Sequence, residues 1–109
     1  MARIVTDPLA LAVKSEIEKI LGHKAYSSAR ISGGTVHRTS WPIDPPGLPY
    51  MRYPKRDDLT VGQVKIINKF VAGVDRKLSK SGLDMDQVKL SWHFGAGLYL
   101  NVRVNLLDD

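Results

Sequence analysis

Three groups of side chains in this sequence could do chemistry, and the chemistry each suggests is the holding of anions. The first is Lys65, Lys69, Arg76 and Lys80, whose intervals place them along one side of a helix at about 100° per residue. Such a stripe can track phosphates, each contact adding salt-dependent affinity by counterion release. It is equally the ordinary solvated side of an amphipathic helix. In the second group, Trp41 and Tyr53 alternate with Arg38, Arg52, Lys55 and Arg56, and Tyr50 lies among them. Rings that stack on bases beside cations that hold phosphate make a single-strand binding surface. Arg, Tyr and Trp also anchor protein interfaces, and Trp41 with one tyrosine could simply pack down to pin its segment. The third group is Lys89, Ser91, His93, Tyr99, Asn101 and Arg103, which falls on one side of a hairpin. It mixes one aromatic with cations and amides as nucleic-acid platforms do, but lacks the paired aromatics of an RNA-recognition motif. A solvated or dimer-forming sheet face is its plainer reading. No group alone names a function.

Bond-breaking chemistry has little support. His23, His37 and His93 fall on different elements without H-x-x-x-H or H-E-x-x-H spacing, so the sequence predicts no metal site. The pairs Asp57–Asp58, Asp84–Asp86 and Asp108–Asp109 sit at element boundaries, where aspartate caps or turns. Gly95-Ala96-Gly97 joins two strands and is followed by Leu100 where a dinucleotide fingerprint needs glycine. The reading is a non-enzymatic chain with no cofactor.

The elements that must position these groups are clearest between Leu59 and Leu83. Thr60 and Gln63 form a capping-box pattern, Leu59 and Val64 are spaced for a hydrophobic staple, and Gly82 with Leu78 and Leu83 suits a Schellman stop. Val64, Ile67, Val71, Val74 and Leu78 give this helix a core face opposite its cations. An earlier helix opens at Asp7-Pro8, carries Leu9, Val13, Ile17, Ile20 and Leu21, and stops at Gly22. From Tyr26 to Trp41, Gly33-Gly34 predicts a two-residue turn in a hairpin that pairs Ile31 with Val36 and Arg30 with His37. Weak alternation there places Ala29, Ile31 and Val36 toward a core and Ser28, Arg30, His37 and Thr39 outward. Residues 42–58 hold five of the six prolines and read as a loop, with Pro46-Gly47 suited to a tight turn. Val88, Leu90, Trp92 and Phe94, then Leu98, Leu100, Val102 and Val104, alternate with polar residues and predict a second hairpin with one buried face.

With 109 residues, 43% hydrophobic and 25% charged, the chain has the size and mix of one globular domain. It has no cysteine, which excludes disulfides and thiol chemistry. The apolar run from Pro8 to Val13 is too short for a signal-peptide core or a membrane span, so the reading is a soluble, cytoplasmic protein. The formal charge of +5 is concentrated between Thr60 and Gly82, where Lys65, Lys69, Arg76, Lys77 and Lys80 face only Asp75. The expected fold is one α+β domain, α-β-β-α-β-β, with two helices on one face of a four-stranded antiparallel sheet. The expected role is a small binding module for nucleic acid, using the basic helix and the Trp41–Arg56 segment. The competing reading is a protein-interaction or assembly module, for which a homodimer through a sheet edge is compatible.

Overall fold

The computed structural model describes residues 8–48 and 59–106. Two helices, α1 (Pro8–Leu21) and α2 (Val61–Ser79), lie on one side of a sheet built from β1 (Ser27–Ile31), β2 (Val36–Pro42), β3 (Val88–Phe94) and β4 (Leu98–Asn105). The strand order is β1-β2-β4-β3 and every neighbouring pair is antiparallel. The α+β architecture and its α-β-β-α-β-β order are therefore as the sequence implies.

Local signals explain the helix ends. Thr60 Oγ1 accepts the Gln63 backbone N–H at 3.1 Å while Gln63 Oε1 accepts that of Thr60 at 3.0 Å, so two donors left free at the helix start are satisfied reciprocally. At the other end Ser81 N–H bonds Leu78 O at 3.1 Å, and Gly82 follows at φ +87°, a backbone state that a Cβ would strain. α1 ends on the Gly22 N–H bonded to Glu18 O at 2.9 Å. Pro46 and Gly47 occupy the centre of a turn closed by Leu48 N–H to Pro45 O, with φ +86° at Gly47 as a type II turn requires.

Ile67, Val71, Val74 and Leu78 of α2 and Ala10, Val13 and Ile17 of α1 meet Trp41, Val88, Leu98, Leu100, Val102 and Val104 of the sheet in a single core. Burying each of the larger side chains contributes about 1.5–3 kcal/mol. Because cross-strand partners share a face, Leu100 opposite both Trp41 and Trp92 defines the covered side. Trp92 sits nearer its rim and donates its indole N–H to Asn68 of α2 at 2.8 Å.

Three expectations change here. The first hairpin pairs as anticipated, Ile31 with Val36 and Arg30 with His37, but its facing is reversed. His37 and Thr39 lie opposite Val104 and Val102, share their face and are buried, while Ala29, Ile31 and Val36 lie on the uncovered side. The polar pair is accommodated by hydrogen bonding: His37 Nε2 and Ser28 Oγ are 3.0 Å apart, and Ser28 Oγ and Thr39 Oγ1 are 3.3 Å apart. The connection is also longer than two residues, since Ser32–Gly34 forms a tight turn with φ of 54°, 69° and 90°. Finally, Trp41 is fully buried in the core and offers no ring face for stacking.

Trp41→Ala should therefore act on stability. It empties a site at the centre of the core and should cost about 3–5 kcal/mol in urea unfolding. A variant that melts like the parent would show that Trp41 is not a core residue.

Candidate functional site

The uncovered face of the sheet carries a layered arrangement that register alone dictates. One row runs Ala29–Arg38–Arg103–Lys89 across β1, β2, β4 and β3, the next Ser27–Ser40–Asn101–Ser91, and the next Pro42–Tyr99–His93. Three cations thus stand directly opposite one another on adjacent strands. Like charges in that position repel and destabilise a sheet. No residue of any of the four strands is acidic, so no carboxylate within the sheet offsets them.

Beside the cations lies a wired polar cluster. Asn101 is buried and its Oδ1 accepts from Ser40 Oγ at 2.6 Å and from Arg38 Nη2 at 3.3 Å. Two donors fix the amide's orientation, which leaves Asn101 Nδ2 to donate to His93 Nδ1. The ring is then the neutral tautomer with hydrogen on Nε2. Burial first, and the Arg38 charge second, lower the His93 pKa below 6.5. With Nδ1 engaged and the ring neutral at pH 7, His93 is placed to orient and stack.

Aromatic rings complete the site. His93 stacks on Tyr99 with centroids 5.4 Å apart and planes 20° apart, and Tyr26 lies against Tyr99 at 5.5 Å. Gly95 makes this fit possible: a Cβ there would stand 3.3 Å from the Tyr99 ring. Between these rings and Arg38 opens a cavity of about 380 Å³, whose lining includes Tyr26, Ala29, Ile31, Arg38, Ser40 and His93. A larger depression of about 520 Å³, past Tyr99, is lined chiefly by apolar residues such as Ile43, Leu48, Phe94 and Leu98. Its imidazole, His23, is already bonded to the Pro42 carbonyl at 2.6 Å.

The residues anticipated from sequence divide between several places. Lys65, Lys69, Arg76 and Lys80 are exposed along α2, away from its buried stripe, and so point away from the sheet. Both ion pairs found among the described residues lie on α1, Lys14–Glu18 and Lys19–Glu16, and none involves that α2 stripe. Arg38 is half-buried on the uncovered sheet face, on the opposite side of the molecule from the α2 stripe. Arg52, Tyr53, Lys55 and Arg56, with Tyr50 and the Asp7 cap, lie outside the described residues. The structure joins Arg38 to Arg103, Lys89, His93, Tyr99 and Asn101, which sequence reasoning had kept in separate groups. Tyr26 and Ser40 were missed altogether. The period of two running back from Trp41 could have put Ser40 and Arg38 on one face.

Comparison with known proteins finds no matching family model, no matching curated protein and no matching solved structure. Among the described residues no group of three potential metal ligands is present, and no helix is long and apolar enough to cross a membrane.

The wiring of His93 has a pH signature. The fold favours its neutral form, so the native state binds fewer protons than the unfolded chain below pH 6.5. The His93 contribution to stability is complete above that pH and is lost as the pH falls through the lowered pKa. An NMR titration of the imidazole should show a midpoint below 6.5, moving upward in Arg38→Met. A midpoint at or above 6.5 would rule out this arrangement.

Proposed function

We propose that this chain is a non-enzymatic nucleic-acid-binding module whose contact surface for a single strand is the uncovered face of the sheet. The observation that carries the reading is the Arg38–Arg103–Lys89 row, three directly opposed cations on a sheet with no acidic strand residue. An anion laid across the row relieves repulsion that the folded chain otherwise bears. A phosphodiester backbone supplies anions at regular intervals, and the adjoining Tyr26, Tyr99 and His93 give its bases surfaces to stack on. A folded duplex hides its base faces, so this pairing of rings and cations favours unpaired strands.

The α2 stripe takes a secondary part in this reading. Lys65, Lys69, Arg76 and Lys80 point away from the sheet and contribute to the positive field that draws the strand in, without touching it.

Fluorescence anisotropy with short single-stranded DNA and RNA over a range of salt concentrations tests the proposal. Neutralising about three phosphates should give a log–log salt slope near −2. Arg103→Glu with Lys89→Glu should weaken binding at least tenfold and flatten the slope, whereas Lys69→Glu with Arg76→Glu should cause a much smaller loss. Binding that ignores salt would refute the proposal. A greater loss from the α2 reversals would move the interface to the helix.

A further inference from the structure

We infer that the cavity of about 380 Å³ beside the cation row receives one unpaired guanine base. The inference rests on the single-strand reading and adds a specificity that the cation row cannot supply, because phosphate contacts position a strand without reading it.

The cavity has the two things a base pocket needs. One wall is aromatic: Tyr26, 73% exposed, leans on Tyr99, so a ring entering from solvent meets a π surface that is already assembled. Ala29 and Ile31 continue the apolar lining, and the small side chain of Ala29 leaves depth between Tyr26 and Arg38. The polar side is formed by Arg38. Its Nη2 is tethered to Asn101 Oδ1, which in turn is held by Ser40, so one end of the guanidinium is restrained before any ligand arrives. One of its five donors is committed there, and Arg38 itself lines the cavity.

Donor chemistry then selects the base. Among the described residues no Asp or Glu lines the cavity, while Arg38 supplies only donors. Guanine presents two neighbouring acceptors, N7 and O6, on one edge of a two-ring base, and a guanidinium matches that pair bidentately. Adenine would turn its N6 amino donor toward the donors of Arg38, and cytosine, although its N3 and O2 are adjacent acceptors, has one ring rather than two to stack on Tyr26 and Tyr99. Uracil and thymine offer a lone carbonyl acceptor there and a smaller ring to stack.

The test uses the full chain and oligonucleotides whose backbone is abasic except for one central base, read by anisotropy, alongside guanosine and adenosine monophosphate titrated against the protein by NMR. The guanine strand should bind about tenfold or more tightly than the adenine and fully abasic strands, and more tightly than the cytosine strand by the stacking of its second ring. Guanosine monophosphate should shift the Tyr26 and Tyr99 ring resonances, and adenosine monophosphate should shift them much less. In Arg38→Lys the guanine-to-adenine affinity ratio should fall toward one, whatever the absolute affinity, because a point charge cannot engage two acceptors at once. Equal binding of all strands with the usual salt dependence overturns the guanine pocket and leaves the sheet platform standing. Failure of every strand to bind, with guanosine monophosphate still shifting the two tyrosines, overturns the platform and keeps the pocket. No response in either assay overturns both.

Discussion

One-sided burial of the sheet is the constraint from which the other features descend. Leu98, Leu100, Val102 and Val104 are enclosed against α1 and α2, and because successive residues of a strand point to opposite faces, Tyr99, Asn101 and Arg103 have no alternative to the other side. Antiparallel pairing carries that choice across the sheet. Arg38 and Lys89 flank Arg103, and His93 flanks Tyr99, since each lies in register with a residue of β4. The core therefore decides the composition of the surface, and β4 is the strand through which it does so.

The two faces resolve their polar content differently. Under the helices, His37 and Thr39 are buried but bonded to Ser28, so they cost little. On the far face, Asn101 and Ser40 are equally enclosed and satisfy each other along with Arg38 and His93, giving a connected network. The charges of the cations, by contrast, meet no carboxylate inside the sheet. A charge pattern that opposes folding, set beside groups whose orientation is already fixed, is the kind of local conflict with the fold on which the proposed binding surface rests. Trp41 Nε1 is the contrasting case, a buried donor without a hydrogen-bond partner among the described residues.

What could be read from the sequence followed the strength of local signals. The α2 cap was legible because Thr60 and Gln63 are three residues apart and their chemistry is self-contained. The second hairpin was legible because eight apolar residues alternate without interruption. In the first hairpin the alternation was carried by Ala29, Ile31 and Val36 against His37 and Thr39, and hydrophobicity pointed the wrong way because hydrogen bonding made the histidine and threonine acceptable inside. Trp41 outweighed them and set the parity, a signal masked by grouping the residue with the cations and tyrosines of the segment that follows. The site itself was only half visible. Lys89, His93, Tyr99, Asn101 and Arg103 could be grouped by period, whereas the addition of Arg38, Ser40 and Tyr26 depends on β2 lying next to β4.

That adjacency has a temporal side. Each hairpin can close on its own through a short connection, but Arg38 and Asn101 are separated by 63 residues and meet only when the two halves dock. Closing so long a segment costs entropy that is repaid only by the contacts formed on arrival. Neither half of the chain owns the cationic row, the amide that orients it or the rings beside it. The cationic row consequently emerges together with the finished sheet, and a nascent or half-folded chain presents its charges scattered.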